Sequence, residues 1–154
     1  MAGVMSNEGS VLAMKEAEHL KNREEFKTLL KIVYFPDLDV EKVSEFYLKG
    51  VDTNSTEALK KAFWKFTGDI LITCPTYHFA KQFSLSSRKR DVLFFEWTQH
   101  SRLVEKVFGC EKGMGVCHGS DIEYVFGYSA YMNATDKQFS EDVMKMWTNF
   151  AKNR

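Results

Sequence analysis

The segment Asp91-Val-Leu-Phe-Phe-Glu-Trp-Thr98 lies between the basic run Arg88-Lys89-Arg90 and the polar Gln99-His100-Ser101, and it reads as a β-strand. Its centre, Val92-Leu93-Phe94-Phe95, is apolar at every position instead of at alternate ones. A strand with that pattern is covered on both faces, which is the habit of a parallel sheet inside an α/β protein. One other segment, Ala2 to Met5, reads as a strand: a short apolar lead into a turn. Two strands make a marginal sheet. The simplest reading is a sheet that continues in residues outside this chain.

The remainder reads mostly as helix. Asn22 followed by Glu25 predicts a capping box opening a helix through Phe35, stopped by Pro36, and Asp39 caps a second helix running to Leu48 before Gly50. After Asp52-Thr53-Asn54-Ser55, a third helix carries Leu59, Phe63 and Phe66 on one side, with Gly68-Asp69 as its interruption. The apolar stretch Ile70 to Phe83 predicts a fourth, with Pro75 either in its first turn or at a kink. In the last helix Thr135 and Gln138 form the expected capping box, and Phe139, Val143, Met146, Trp147 and Phe150 recur along one face. No internal repeat or low-complexity segment is present.

The chain has 154 residues, 44% hydrophobic, with 21 basic and 21 acidic side chains and a formal net charge of zero. That length and composition fit a folded chain and not a disordered one. With no block of like charges longer than residues 88–90, the electrostatic footprint that nucleic acid or an anionic membrane requires is missing. No window reaches the roughly 18 apolar residues of a spanning helix, so no membrane span is expected. Met1 to Met5 breaks at Ser6-Asn7-Glu8 without the apolar core of a secretory signal. Thirteen Phe, six Tyr and three Trp supply an unusual amount of bulky surface that must be buried.

Two loops could carry chemistry. Gly3-Val-Met-Ser-Asn-Glu-Gly-Ser10 puts a carboxylate, Glu8, just beyond a strand end, and Gly9 is expected to turn the chain and leave that side chain exposed. Gly113-Met-Gly-Val-Cys-His-Gly-Ser120 does the same for the imidazole of His118. Ser120 and Glu123 then predict a capping box for a short helix, Asp121 to Phe126, closed by Gly127. In open α/β sheets, chemistry collects on loops beyond the carboxyl ends of the strands. A carboxylate and a histidine delivered there match the acid and base of a nucleophilic triad that lacks its nucleophile. Asp121 and Glu123 follow His118 closely enough to favour its protonated form, or simply complement the start of the short helix. His19, His78 and His100 read as structural.

Three cysteines at positions 74, 110 and 117 match no small disulfide framework and no paired Cys-x-x-Cys zinc site. Cys110 and Cys117 are left with two states: a local disulfide across the loop before His118, or two free thiols. With His118 they would make a three-ligand zinc set without a fourth ligand, so no metal and no cofactor are expected.

Several segments together resemble one family. Gly115-Val-Cys-His-Gly-Ser-Asp-Ile-Glu-Tyr-Val-Phe-Gly127 resembles the histidine motif of the type-B carboxylesterases and cholinesterases, and Gly3 to Ser10 is similar to that family's acid motif. Asp69-Ile-Leu-Ile-Thr-Cys-Pro-Thr-Tyr-His-Phe-Ala80 resembles its Cys-Pro helix, and Met146-Trp-Thr-Asn-Phe-Ala-Lys152 its C-terminal signature. The four occur in family order along the whole chain. The resemblance implies an α/β-hydrolase fold, whose triad runs nucleophile, acid, histidine. It makes Glu8 the acid and His118 the base.

No Gly-x-Ser-x-Gly elbow and no glycine-rich oxyanion loop occur here. Residues 1–154 are therefore expected to be the C-terminal portion of one carboxylesterase-type domain: mostly helical, with one or two strands of an incomplete sheet, and inactive alone. In the full-length protein the resemblance implies a small-molecule or lipid ester as substrate. The alternative is a cholinesterase-like adhesion or recognition protein that has lost the serine. The family also implies a partner for Cys74 beyond the C-terminal signature, which these residues do not reach. Sequons at Asn54-Ser-Thr56 and Asn133-Ala-Thr135 fit N-glycans and a secreted, surface or endoplasmic-reticulum protein.

Overall fold

A computed structural model describes residues 1–33, 38–86 and 91–153. The expected helix stop at Phe35-Pro36 and the basic run Arg88-Lys89-Arg90 lie outside the described residues. Two strands, β1 (Ala2–Met5) and β2 (Phe94–Trp97), pair in parallel, with Ala2 opposite Phe94 and Met5 opposite Trp97. β2 is shorter than the expected 91–98 and holds only Phe94 and Phe95 of the apolar run, but its parallel pairing agrees with that run, and helices approach both of its faces. On one side the last helix, α8 (Ala134–Asn153), brings Trp147 to 5.2 Å from the Phe95 ring and Phe139 to 5.6 Å from Trp97. On the other, Tyr77 of α5 (Cys74–Ser86) meets Phe94 edge-on at 5.8 Å. Coverage of that second side is partial, and Phe94 keeps 40% of its surface exposed.

Between the strands the chain forms α1 (Gly9–Leu12), α2 (Arg23–Val33), α3 (Val40–Tyr47) and α4 (Thr56–Gly68) before α5. Asn22 caps α2 by accepting from the Glu25 N–H at 2.9 Å, and Asp39 caps α3 through the Lys42 N–H at 3.2 Å. Ser55 does the same for α4. The apolar faces of α2, α3 and α4 close on one cluster around Phe26, Leu30, Leu59, Phe63 and Phe66, with Phe26 and Phe63 edge-to-face at 5.9 Å. The expected interruption at Gly68-Asp69 is not a break. The chain passes from α4 through a π-helical turn, Asp69–Thr73, directly into α5. Pro75 follows the π turn directly: its missing N–H leaves one bond of the continuous helix unmade, and the widened turn ahead of it makes room for its ring.

After β2 come α6 (Arg102–Phe108), capped by Ser101, the one-turn α7 (Ile122–Val125) and α8. Two capping expectations need correction. The cap of α8 lies two residues earlier than Thr135, at Asn133, which exchanges side-chain and backbone bonds with Asp136 at 2.8 and 3.4 Å. The Ser120–Glu123 box does not form at all. The chain enters α7 through two successive turns, Ser120 N–H to the Cys117 carbonyl and Ile122 N–H to the Gly119 carbonyl, so residue 120 lacks the extended backbone a cap needs. Instead both side chains face the interior, Ser120 fully buried and Glu123 1% exposed, and Ser120 Oγ and Glu123 Oε2 have no hydrogen-bond partner among the described residues. No described helix is long and apolar enough to cross a membrane.

Candidate functional site

The loop leaving β1 and the loop entering α7 meet at one point. Glu8 is not exposed as its glycine-rich setting suggests: it retains 4% of its surface. The reason is Gly9, which works here by close approach and not by a left-handed backbone. A Cβ on Gly9 would run into the Trp64 carbonyl oxygen and the Gly68 N–H, so α1 lies backbone against backbone on α4 and carries Glu8 inward with it. A buried carboxylate must have partners. Oε1 accepts the Met5 N–H at 2.7 Å, and Oε2 lies 2.6 Å from His118 Nδ1, across 110 positions of sequence.

The two sequence-predicted site residues are therefore in direct contact. The pair is asymmetric: the Glu8 side chain is 3% exposed and that of His118 47%. Glu8 anchors the ring through Nδ1, and His118 Nε2 has no hydrogen-bond partner among the described residues. The hydrogen bond to Glu8 holds the imidazole above its ordinary pKa, against the opposing effect of partial burial, and the charges of Glu8 and Asp121 add to the increase. Asp121 thus does act on His118, and its own carboxyl is raised chiefly by burial. Glu123 points into the interior and away from this role. A buried carboxylate that fixes the Nδ1–H tautomer and leaves Nε2 free is an orienting acid with a proton acceptor.

Cys110 and Cys117 are joined in a disulfide, and Cys74 is free and exposed. Both sulfurs that a zinc ion would need beside His118 are bonded to each other, and no cluster of three or more potential metal ligands occurs among the described residues. A cleft of about 330 Å³ borders Asn7, Glu8, Trp64, Lys65 and Asp69, and its lining excludes His118. It therefore borders the acid of the pair and not its imidazole.

Sequence reasoning missed the residue that joins the two loops. The Asn7 N–H donates to the Val116 carbonyl at 3.1 Å, and Asn7 Oδ1 accepts the Val116 N–H at 2.9 Å, so the chain beside Glu8 is hydrogen-bonded to the chain beside His118. Ser10 adds a bond from its hydroxyl to Cys117 Sγ at 3.2 Å. The only signal was an Asn preceding the acid in a turn, a residue that bonds neighbouring backbone readily.

Residues 1–154 match the sequence model described as the Carboxylesterase family. The chain is 32% identical to the cholinesterase of Mus musculus over 99% of its own length and 26% of that protein's. It is 29% identical to acetylcholinesterase-1 of Trittame loki, with 98% and 29% covered, and 26% identical to the acetylcholinesterase of Bungarus fasciatus, with 99% and 26% covered. The chain thus spans between a quarter and a third of the length of these relatives.

Proposed function

The chain belongs to the carboxylesterase family, and from that premise we propose that Glu8 and His118 are the acid and base of a serine-esterase triad whose nucleophile lies outside these residues. The observation that carries this reading is the 2.6 Å contact between His118 Nδ1 and the buried Glu8 Oε2. Glu8 accepts the Nδ1 proton and stabilises the imidazolium that forms during turnover. Nε2 takes the proton of the serine hydroxyl as its oxygen attacks the ester carbonyl, then delivers it to the leaving alcohol. Water repeats the sequence on the acyl-enzyme, and backbone amides on another part of the domain hold the oxyanion.

On this reading residues 1–154 are the C-terminal portion of a single α/β-hydrolase domain, and the substrate class is a carboxylic ester. An extracellular or endoplasmic-reticulum setting accompanies it. Support comes from the Cys110–Cys117 disulfide, a bond that persists in oxidising compartments, and from exposed asparagines at both sequons.

The test begins with the transcript upstream of the Met1 codon and continues with the encoded full-length protein on a chromogenic ester. Serine in a Gly-x-Ser-x-Gly elbow, with hydrolysis lost in His118→Ala, is the expected result. Another residue at the serine position would make the protein a non-catalytic adhesion or recognition member, and undiminished hydrolysis in His118→Ala would remove His118 from the chemistry. The 154-residue chain alone is expected to hydrolyse nothing by a serine-dependent route.

A further inference from the structure

The segment from Gly109 to Gly119 contains four glycines and no regular element, yet it must hold an imidazole in register with a carboxylate on a different part of the fold. The ring does not do this by packing, because nearly half of the His118 side chain is in solvent and its recorded bond is the one to Glu8. Its position is set through the backbone at Cys117. Cys117 is fully buried and Cys110 1% exposed, and their bridge sits in an apolar cluster with Val104 and Met114, packed against Val11, Met14 and Trp64. One end of the loop is thereby tied to the last turn of α6 and to the α1–α4 contact that buries Glu8. Next to it, Cys117 makes a parallel bridge with Asn7, Val116 exchanges two hydrogen bonds with Asn7, and Ser10 Oγ donates to Cys117 Sγ. Gly115 completes the fit: its φ is +77°, and a Cβ there would collide with the Asn7 amide.

We propose that the Cys110–Cys117 disulfide and Asn7 form a positioning clamp that holds His118 on Glu8, so that these three residues act through the loop backbone and set the geometry of the acid–base pair. The inference rests on the pairing of Glu8 with His118 proposed above. Without the bridge, a glycine-rich loop samples many conformations, and loop entropy opposes the single one that brings Nδ1 to the carboxylate. Without Asn7, the two loops lose the bonds that fix their relative height.

The clamp is tested on the oxidised 154-residue chain by pH titration of its four histidines with imidazole NMR, comparing wild type, Glu8→Gln, Cys110→Ala/Cys117→Ala and Asn7→Ala. In wild type His118 is expected to titrate above the ordinary imidazole value, because its ring is bonded to Glu8. Both the double-cysteine variant and Asn7→Ala are expected to return most of that elevation, while near-UV circular dichroism and amide proton dispersion stay as in wild type and report an intact fold. If the double-cysteine variant does not fold, Asn7→Ala, which leaves the bridge in place, decides. A folded variant of either kind that keeps the wild-type His118 value overturns the clamp while the pairing stands. A Glu8→Gln chain in which His118 does not move overturns the pairing and the clamp with it.

Discussion

Gly9 and Gly68 meet backbone to backbone: a Cβ built on Gly68 would approach the Gly9 nitrogen to 2.7 Å, and one built on Gly9 would strike the Trp64 carbonyl and the Gly68 nitrogen. The contact decides where the acid stands, since Glu8 immediately precedes Gly9. Gly9→Ala should therefore do more than crowd a helix contact. The atoms it meets are main chain and cannot rotate away, so overpacking should cost on the order of 2–3 kcal/mol. Urea unfolding should show the lower midpoint, and the His118 titration should fall toward its ordinary value because α1 carries Glu8 with it when it shifts. Unchanged values of both would mean that α1 is not held by this approach.

Glu8→Gln tests the proposed chemistry more directly. Glutamine keeps the size of the side chain and the Met5 contact but cannot accept the Nδ1 proton as a carboxylate does. In the full-length protein the turnover number should fall by roughly 10³–10⁴-fold, with KM changed little, because the wrong tautomer weakens the transition state and not uniform binding. Steady-state kinetics on a chromogenic ester separates the two. Equal turnover would take Glu8 out of the triad.

Much of this site was legible in the sequence because its signals are local. An acid before Gly-Ser, a histidine before a Gly-capped short helix and an unbroken apolar strand each belong to one stretch of chain. What failed were inferences that needed a second stretch. By itself Gly9 suggests a turn that exposes Glu8, and Gly68 a helix break; both glycines instead serve one contact, made by residues 59 positions apart, which buries the Glu8 side chain, while the helix runs on through Gly68. Ser120 and Glu123 have the spacing of a capping box, yet the two turns before α7 withdraw the backbone geometry and the pair goes inward. Asn7 carried no chemical signal of its own, because its role depends on Val116 arriving beside it.

The Glu8–His118 contact should also make stability depend on pH. His118 has a folded-state pKa raised by its bond to Glu8. A group raised on folding contributes stability that is fully present below its unfolded value, about 6.5 for histidine, and is lost as pH rises through the folded value. The urea midpoint of wild type should therefore decline across that window above pH 6.5. Glu8→Gln should flatten the decline, because the first cause of the shift is gone. Solvent on half of the ring keeps the effect modest. Parallel profiles for the two proteins would show that the contact contributes nothing to the folded state.

Asn54 and Asn133 offer a test of compartment that does not depend on activity. Both side chains are exposed, and neither sequon contains proline. Asn133 caps α8 by accepting the Asp136 N–H through Oδ1. An N-glycan attaches to the amide nitrogen of asparagine and leaves that oxygen available, so modification should not cost the cap. Asn54 lies in the loop ahead of α4, where the following Ser55, not Asn54, makes the helix cap. If the chain matures in an oxidising secretory compartment, as its disulfide suggests, expression in secreting eukaryotic cells should add mass at both asparagines. Peptide:N-glycosidase F should remove it and convert both to aspartate. Mass spectrometry that finds both sites bare, on a secreted product with the Cys110–Cys117 bridge intact, would separate the disulfide from the glycoprotein reading and leave the bridge as a feature of the His118 loop alone.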